Sequence, residues 1–319
     1  TATTRRKNSG ADVQTTLRKT VALTGTGLHT GRPARVTISP AAAEFGIWFR
    51  RADCPTGDPY IPARWDRVER MPLCTRLVNE AGVSVSTVEH LMAALAGCGV
   101  HNAMVEVSGP EVPILDGSAA PFAQALLGAG VRRLDAPVHA LRVTRPVEVE
   151  APGGARARLE PADTLSIAFE ISFADAAIGA QRRTLDMSNG AFVRELCNAR
   201  TFCRSADIDT MHEAGLARGG TLENAVVVDG ARVLNPGGLR HADEPVRHKM
   251  LDALGDLALA GGPMLAAYTG YRAGHALTNR LLRELFATPG AVEWVECDAG
   301  CERRLPGMGI SLADLAAVA

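Results

Sequence analysis

The string His248-Lys249-Met250-Leu251-Asp252 constrains this chain more than any other stretch. A histidine and a carboxylate stand at i and i+4 inside an otherwise apolar helical pattern running from about Pro245 to Leu259. Side chains at that spacing share one side of a helix. Asp256 extends the polar stripe by a turn, beside Met250, Leu251, Leu254 and Leu257. Burying such a stripe is costly unless something binds it, and a divalent metal would do so. Ser86-Thr87-Val88-Glu89-His90 offers a third ligand in His90. Two imidazoles and one carboxylate are the ligand composition of a catalytic zinc site with one position open. Glu89, next to a ligand and not needed as one, is the candidate base.

The chain has 319 residues, room for one large domain or two ordinary ones, and 46% of them are hydrophobic, enough for a sizeable core. A net charge of −1 argues against a nucleic-acid or anionic-membrane binder driven by bulk charge. Thr1 to Lys19 is polar without an apolar core and does not read as a secretory signal. The longest apolar stretch, Leu257 to Tyr271, is broken by Gly261, Gly262 and Pro263, so no transmembrane span is expected. Seven cysteines without a C-x-x-C pair read as reduced thiols of a cytoplasmic protein.

Residues 1–17 read as a flexible tail. Strand patterns follow at 21–23, 35–39, 46–50, 75–78 and 83–86, then a helix opened by Ser86 and stopped near Gly97, a strand over 102–108 and a helix ending at Gly128. After a Pro-containing joint at 135–138, strands recur at 141–149, 155–160 and 165–173. Helices are expected at 190–198, 204–213, 245–259 and 275–286, with strands at 225–228 and 264–270. The repeated order of strands, helix, strand, helix predicts a duplicated α+β unit.

Each candidate has a plainer reading. Ser86-x-x-Glu89 fits a capping box, in which the glutamate only satisfies the helix N-terminus. His248 and Asp252 fit an i,i+4 helical ion pair, and the H-E-x-x-H spacing of zinc peptidases is absent. His275 opens a helix, where it needs no role. His29 lies in Gly25-Thr26-Gly27-Leu28-His29-Thr30-Gly31, a glycine-rich stretch that does not run into a helix, which excludes a dinucleotide-binding reading.

Several longer strings, in order, supply context: Gly27-Leu28-His29-Thr30-Gly31; Ser86 to Gly97; Gly109-Pro110-Glu111-Val112-Pro113-Ile114-Leu115-Asp116-Gly117-Ser118; Ala199-Arg200-Thr201-Phe202; Gly219-Gly220-Thr221-Leu222-Glu223-Asn224-Ala225; Val246 to Leu257; and Gly274-His275-Ala276-Leu277. Together they resemble the zinc-dependent UDP-3-O-acyl-N-acetylglucosamine deacetylases of lipid A synthesis, over nearly the whole chain from about Thr20. The resemblance implies zinc on His90, His248 and Asp252, with iron(II) as a possible substitute. It implies Glu89 as general base, His275 as general acid oriented by Asp256, and Thr201 on the oxyanion. Lys249, Arg272 and Phe173 fall where the family contacts UDP. His29, Phe202 and Gly220 fall among its substrate-binding positions, and Cys74 falls beside the metal. The implied fold is α+β: two similar domains, each a sheet packed on helices, with the helical layers facing each other. Domain limits of 18–135 and 136–319 are expected, with one small insert per domain, near 60–73 and near 201–229. The second insert would form an apolar passage for the acyl chain. The expected partner is a UDP-sugar lipid and the expected state monomeric.

Two departures from the family pattern stand out. Ser172-Phe173-Ala174-Asp175-Ala176 lacks the usual Asp-Phe-x-His-Pro run, and Cys203-Arg204 replaces a Gly-aromatic pair. A zinc nucleobase deaminase is excluded, since its H-x-E and P-C-x-x-C strings are absent. A binding module with a closed structural zinc would want a fourth ligand, for which Cys74 is the only candidate.

Overall fold

The computed structural model describes residues 13–316. Alternation of apolar and polar residues builds its sheets. In Pro33–Pro40, Ala34, Val36 and Ile38 are buried while Pro33 and Arg35 face solvent. This strand lies second in a five-stranded sheet ordered Val21–Thr26, Pro33–Pro40, Ala103–Val107, Ile47–Arg51, Tyr60–Pro62. A seven-stranded sheet follows in the second half. Met264–Tyr271 lies inside it, antiparallel to Arg156–Pro161 and parallel to His139–Val143 and Leu165–Ser172. Leu165, Ile167, Phe169 and Ile171 supply one buried face of the last of these strands.

Five helices matter for the site: α1 (Glu89–Gly97), α2 (Ala120–Ala129), α3 (Ile208–Glu213), α4 (Glu244–Ala258) and α5 (His275–Ala287). Leu91 to Leu95 are apolar all round, so α1 is buried on nearly every side. α5 is amphipathic and buries Leu277, Leu281, Leu282 and Leu285. α1 from the first half packs on α4 from the second. Gly255 permits their close approach: a Cβ there would lie 2.0 Å from the Glu89 carbonyl oxygen.

The α+β class expected from the sequence is what the chain adopts. Four local expectations differ. Val13–Leu17, placed in the tail, is a strand paired with Val131–Pro137, in which Gln14 and Thr16 are buried. The rest of that tail lies outside the described residues. Ser86 does not cap α1: it ends the strand Ser84–Ser86, and Val88 occupies the N-cap without a side-chain bond. The intervening Thr87 has φ 57°, a left-handed conformation that breaks any continuous turn from Ser86 to Glu89. Over 190–198 the helix is a single π turn, Phe192–Leu196. In 204–213, Arg204 ends a strand and only the later residues form a 3₁₀ turn and α3.

Candidate active site

α4 presents His248 and Asp252 on one face, and the first turn of α1 brings His90 to them. Ligand atoms of the three lie within 4.8 Å of one another, and all three residues are buried. Asp252 Oδ1 is 3.3 Å from His248 Nε2 and 3.6 Å from His90 Nε2. Ligand atoms about 2.0–2.1 Å from a tetrahedral zinc stand about 3.4 Å apart, so the set has the right size. His248 Nδ1–H donates to the Ala199 carbonyl at 3.0 Å, which fixes the tautomer and frees the Nε2 lone pair. Burial pushes the His248 pKa down to about 4, keeping the ring neutral as a metal requires. Asp252 Oδ2 accepts from Lys249 Nζ at 2.7 Å, whereas Oδ1 is buried without a hydrogen-bond partner. An ionised oxygen left so is costly unless a cation meets it. The donor set therefore fits a divalent metal with one or two positions open. His90 Nδ1 is also buried and unpartnered. Cys74 does not join the converging ligand atoms, and burial, with Glu89 adding to it, pushes its thiol up to about 12.

Beside this centre, Glu89 Oε2 accepts the Thr75 backbone N–H at 3.0 Å. Burial raises the Glu89 pKa, against the opposing influence of His275 and His90. His275 Nδ1 donates to Asp256 Oδ2 at 2.8 Å, and Asp256 Oδ1 accepts from the Thr75 hydroxyl at 2.6 Å. His275 Nε2 points toward Glu89 Oε1 and Asp252 Oδ2, each at 3.9 Å. Burial alone would lower the His275 pKa, but Asp256, Asp252 and Glu89 outweigh it and raise the value to about 9.

These groups stand at the wall of a predominantly apolar cavity of ≈ 1230 Å³. His29, Phe173, Thr201, Phe202, Gly220, Lys249 and Arg272 all line it. Four non-glycine residues with positive φ also line it: Leu73 (68°), Thr87 (57°), Ala217 (53°) and Arg272 (51°). Backbone held in this region at several points around one cavity is a mark of a functional site. Phe173 and Phe202 meet edge to face at 5.5 Å. Thr201 spends its N–H on the Gly117 carbonyl and its carbonyl on the Val226 N–H. His29 Nδ1 accepts from the Ala217 N–H at 3.3 Å, leaving Nε2 buried and unpartnered. The Lys249 ammonium, on the cavity wall, donates to Asp252 Oδ2 at 2.7 Å. The two departures from the family pattern meet: Arg204 Nε donates to Asp175 Oδ2 at 2.5 Å, and Asp175 Oδ1 accepts the Gly230 N–H.

Sequence reasoning missed the supports. Glu111, 1% exposed, accepts from the backbone of His29 and Thr30 and from the hydroxyls of Thr30 and Thr87. Arg200 pairs with the fully buried Glu244 at 2.8 Å, anchoring the start of α4 beside the Ala199 carbonyl. Nothing in Gly109-Pro110-Glu111-Val112 marks the glutamate as buried; its partners lie on other segments of the fold.

A three-ligand cluster beside a buried carboxylate, at the wall of a largely apolar cavity, is the arrangement of the metallohydrolase class. The family model described as UDP-3-O-acyl N-acetylglycosamine deacetylase (LpxC) matches residues 14–287. The UDP-3-O-acyl-N-acetylglucosamine deacetylase of Phenylobacterium zucineum (strain HLK1) is 49% identical over 278 residues, covering 87% of this chain and 94% of its own. That of Shewanella oneidensis is 45% identical over 300 residues (92% and 97%), and that of Anaeromyxobacter sp. (strain Fw109-5) 47% over 295 residues (92% and 95%). The chain belongs to the UDP-3-O-acyl-N-acetylglucosamine deacetylase family.

Proposed function

We propose that this chain hydrolyses the 2-N-acetyl group of UDP-3-O-(3-hydroxyacyl)-N-acetylglucosamine, releasing acetate, in lipid A biosynthesis. The observation that carries the reading is the junction of the His90–His248–Asp252 cluster with the apolar cavity, in a chain of this family. The proposed metal is zinc, with iron(II) able to replace it. Bound there, it supplies a Lewis acid for the acetamide carbonyl and lowers the pKa of water.

Glu89 Oε1 takes the proton of the attacking water. The Thr201 hydroxyl, its backbone groups already paired, holds the developing oxyanion. The amine leaves only if protonated, and His275 Nε2 delivers that proton, with Asp256 keeping the ring charged and oriented. Lys249, which also balances Asp252, and Arg272 serve the diphosphate. Phe173, Phe202, His29 and Gly220 shape the remaining substrate surface. No helix among the described residues is long and apolar enough to cross a membrane. A UDP-sugar substrate and the reduced-thiol reading of the cysteines support a cytoplasmic location, and the proposed state is monomeric.

The pH profile follows from the two shifted groups. Glu89 must be ionised, so kcat/KM rises as pH climbs through its raised pKa. His275 must be charged, so kcat/KM falls as pH rises through about 9. A metal cation beside Asp252 draws that descending limb lower. In His275→Ala the basic limb should vanish. Its survival unchanged would assign the proton to another acid.

Acetate release from the acylated substrate is the direct test of the function, and chain length tests the cavity. Each buried methylene contributes about 0.8 kcal/mol, so a chain of roughly ten carbons supplies several kcal/mol. Spent in positioning the acetamide, about 4 kcal/mol is about 10³ in rate. UDP-N-acetylglucosamine without the acyl chain should therefore show kcat/KM lower by about that factor. Gly220 has ordinary φ, and a Cβ there would have Ala217 O at 3.2 Å, Leu28 Cδ1 at 3.8 Å and Ala217 Cβ at 3.9 Å as its nearest neighbours. Gly220→Leu should penalise long chains more than short ones. Equal losses at all lengths would put the acyl passage elsewhere.

A further inference from the structure

Thr75 touches the base Glu89 and the carboxylate Asp256 that orients His275, while lying outside the substrate cavity. It is 2% exposed. Its N–H donates to Glu89 Oε2 at 3.0 Å and its hydroxyl to Asp256 Oδ1 at 2.6 Å. Its carbonyl accepts the N–H of Val88, the residue before Glu89, at 3.4 Å. A carboxylate has two oxygens, and Thr75 occupies one on each partner. What remains free on Glu89 is Oε1, 3.9 Å from His275 Nε2; what remains on Asp256 is Oδ2, 2.8 Å from His275 Nδ1. One residue of the first half of the chain thus sets the rotamers of a carboxylate on α1 and of another on α4.

We propose that Thr75 is a positioning residue that fixes the separation and orientation of Glu89 and His275 through these two bonds. The inference rests on the roles given to Glu89 and His275 above. Without the hydroxyl, Asp256 Oδ1 loses its donor, the carboxylate can turn, and the His275 ring turns with it. Proton delivery to the amine then suffers, whereas substrate binding and the metal ligands are untouched.

Thr75→Val removes the hydroxyl at nearly constant shape, and Thr75→Ser keeps it. In the metal-loaded full chain, Thr75→Val should lower kcat by about 10–100-fold, the span for outer supports of a metal site, with KM within about twofold and full metal content. Thr75→Ser should restore most of kcat. In an Asp256→Asn background, Thr75→Val should add less than about twofold, because both changes break one bond. A wild-type kcat in Thr75→Val, a loss confined to KM or to metal content, or a fully multiplicative loss in the double variant would overturn the proposal. NMR of ¹⁵N-histidine-labelled protein supplies a readout that needs no turnover. The His275 Nδ1–H resonance, assigned by its absence in His275→Ala, should shift in Thr75→Val and return in Thr75→Ser. An unmoved resonance overturns the proposal even if the wild type releases no acetate, a result that would remove the proposed function instead. Thr75→Ala, with space for a water, is measured the same way if the valine variant fails to fold. Failure of both to fold would make the role purely structural.

Discussion

Glu89→Ala is expected to retain fold and metal and to lose roughly 10²–10⁴ in kcat, the span for removing a general base. The ligand atoms of His90, His248 and Asp252 do not depend on Glu89, which touches the Thr75 N–H and faces His275. Glu89→Gln is the sharper version, because its amide oxygen can still accept from Thr75 while its basicity is gone. Metal analysis, thermal unfolding and acetate release on the same samples check this. Near-normal activity in either variant would remove Glu89 from the chemistry. Since no cap bond exists at the start of α1, a purely stabilising role has little structural support.

Replacing His248 or Asp252 by alanine should act at the opposite level. Each change deletes one of three converging ligands, so stoichiometric metal should be lost together with essentially all activity. In Asp252→Ala the Lys249 ammonium, buried against that carboxylate, also loses its partner, so this variant should be the less stable of the two. Metal removal from the wild-type protein should lower the unfolding temperature, and adding zinc back should raise it with concentration, since a ligand bound only to the native state stabilises by mass action. Full zinc occupancy in both variants would discard the ligand set. A melting temperature indifferent to zinc would mean that the orphaned Asp252 oxygen has another explanation.

The readability of this site in the sequence follows the distances involved. His248 and Asp252 are one helical turn apart, so periodicity alone put them on one face. Glu89 and His90 were legible as neighbours, but their helix start was misread. The Ser86-x-x-Glu89 spacing satisfies a capping box on paper, and the positive φ of Thr87 cancels it in space. Nothing in a sequence of ordinary residues announces that a threonine will sit left-handed. The tail was misjudged because Val13-Gln14-Thr15-Thr16-Leu17 is polar, yet Thr16 is fully buried through its bond to the Asn102 carbonyl. Thr75 and Glu111 were invisible as supports. Their partners are reached across the fold, and a single hydroxyl or carboxylate has no period to detect. The resemblance to a family carried assignments that the residues alone left open, such as Thr201 and Arg272, but it gave Lys249 no hint of its bond to Asp252.

The meeting of α1 and α4 at Gly255 has a bearing on how the protein matures. His90 and His248 are 158 residues apart (248 − 90), and Thr75 finds Asp256 across 181 residues. A chain leaving the ribosome exposes its N-terminal histidine and glutamate long before the two α4 ligands exist. Until the helices close on one another, only the local His248–Asp252 pair can engage a cation, and two ligands hold it weakly. The complete ligand set exists only once α1 and α4 meet, so stoichiometric metal loading is expected to follow that contact.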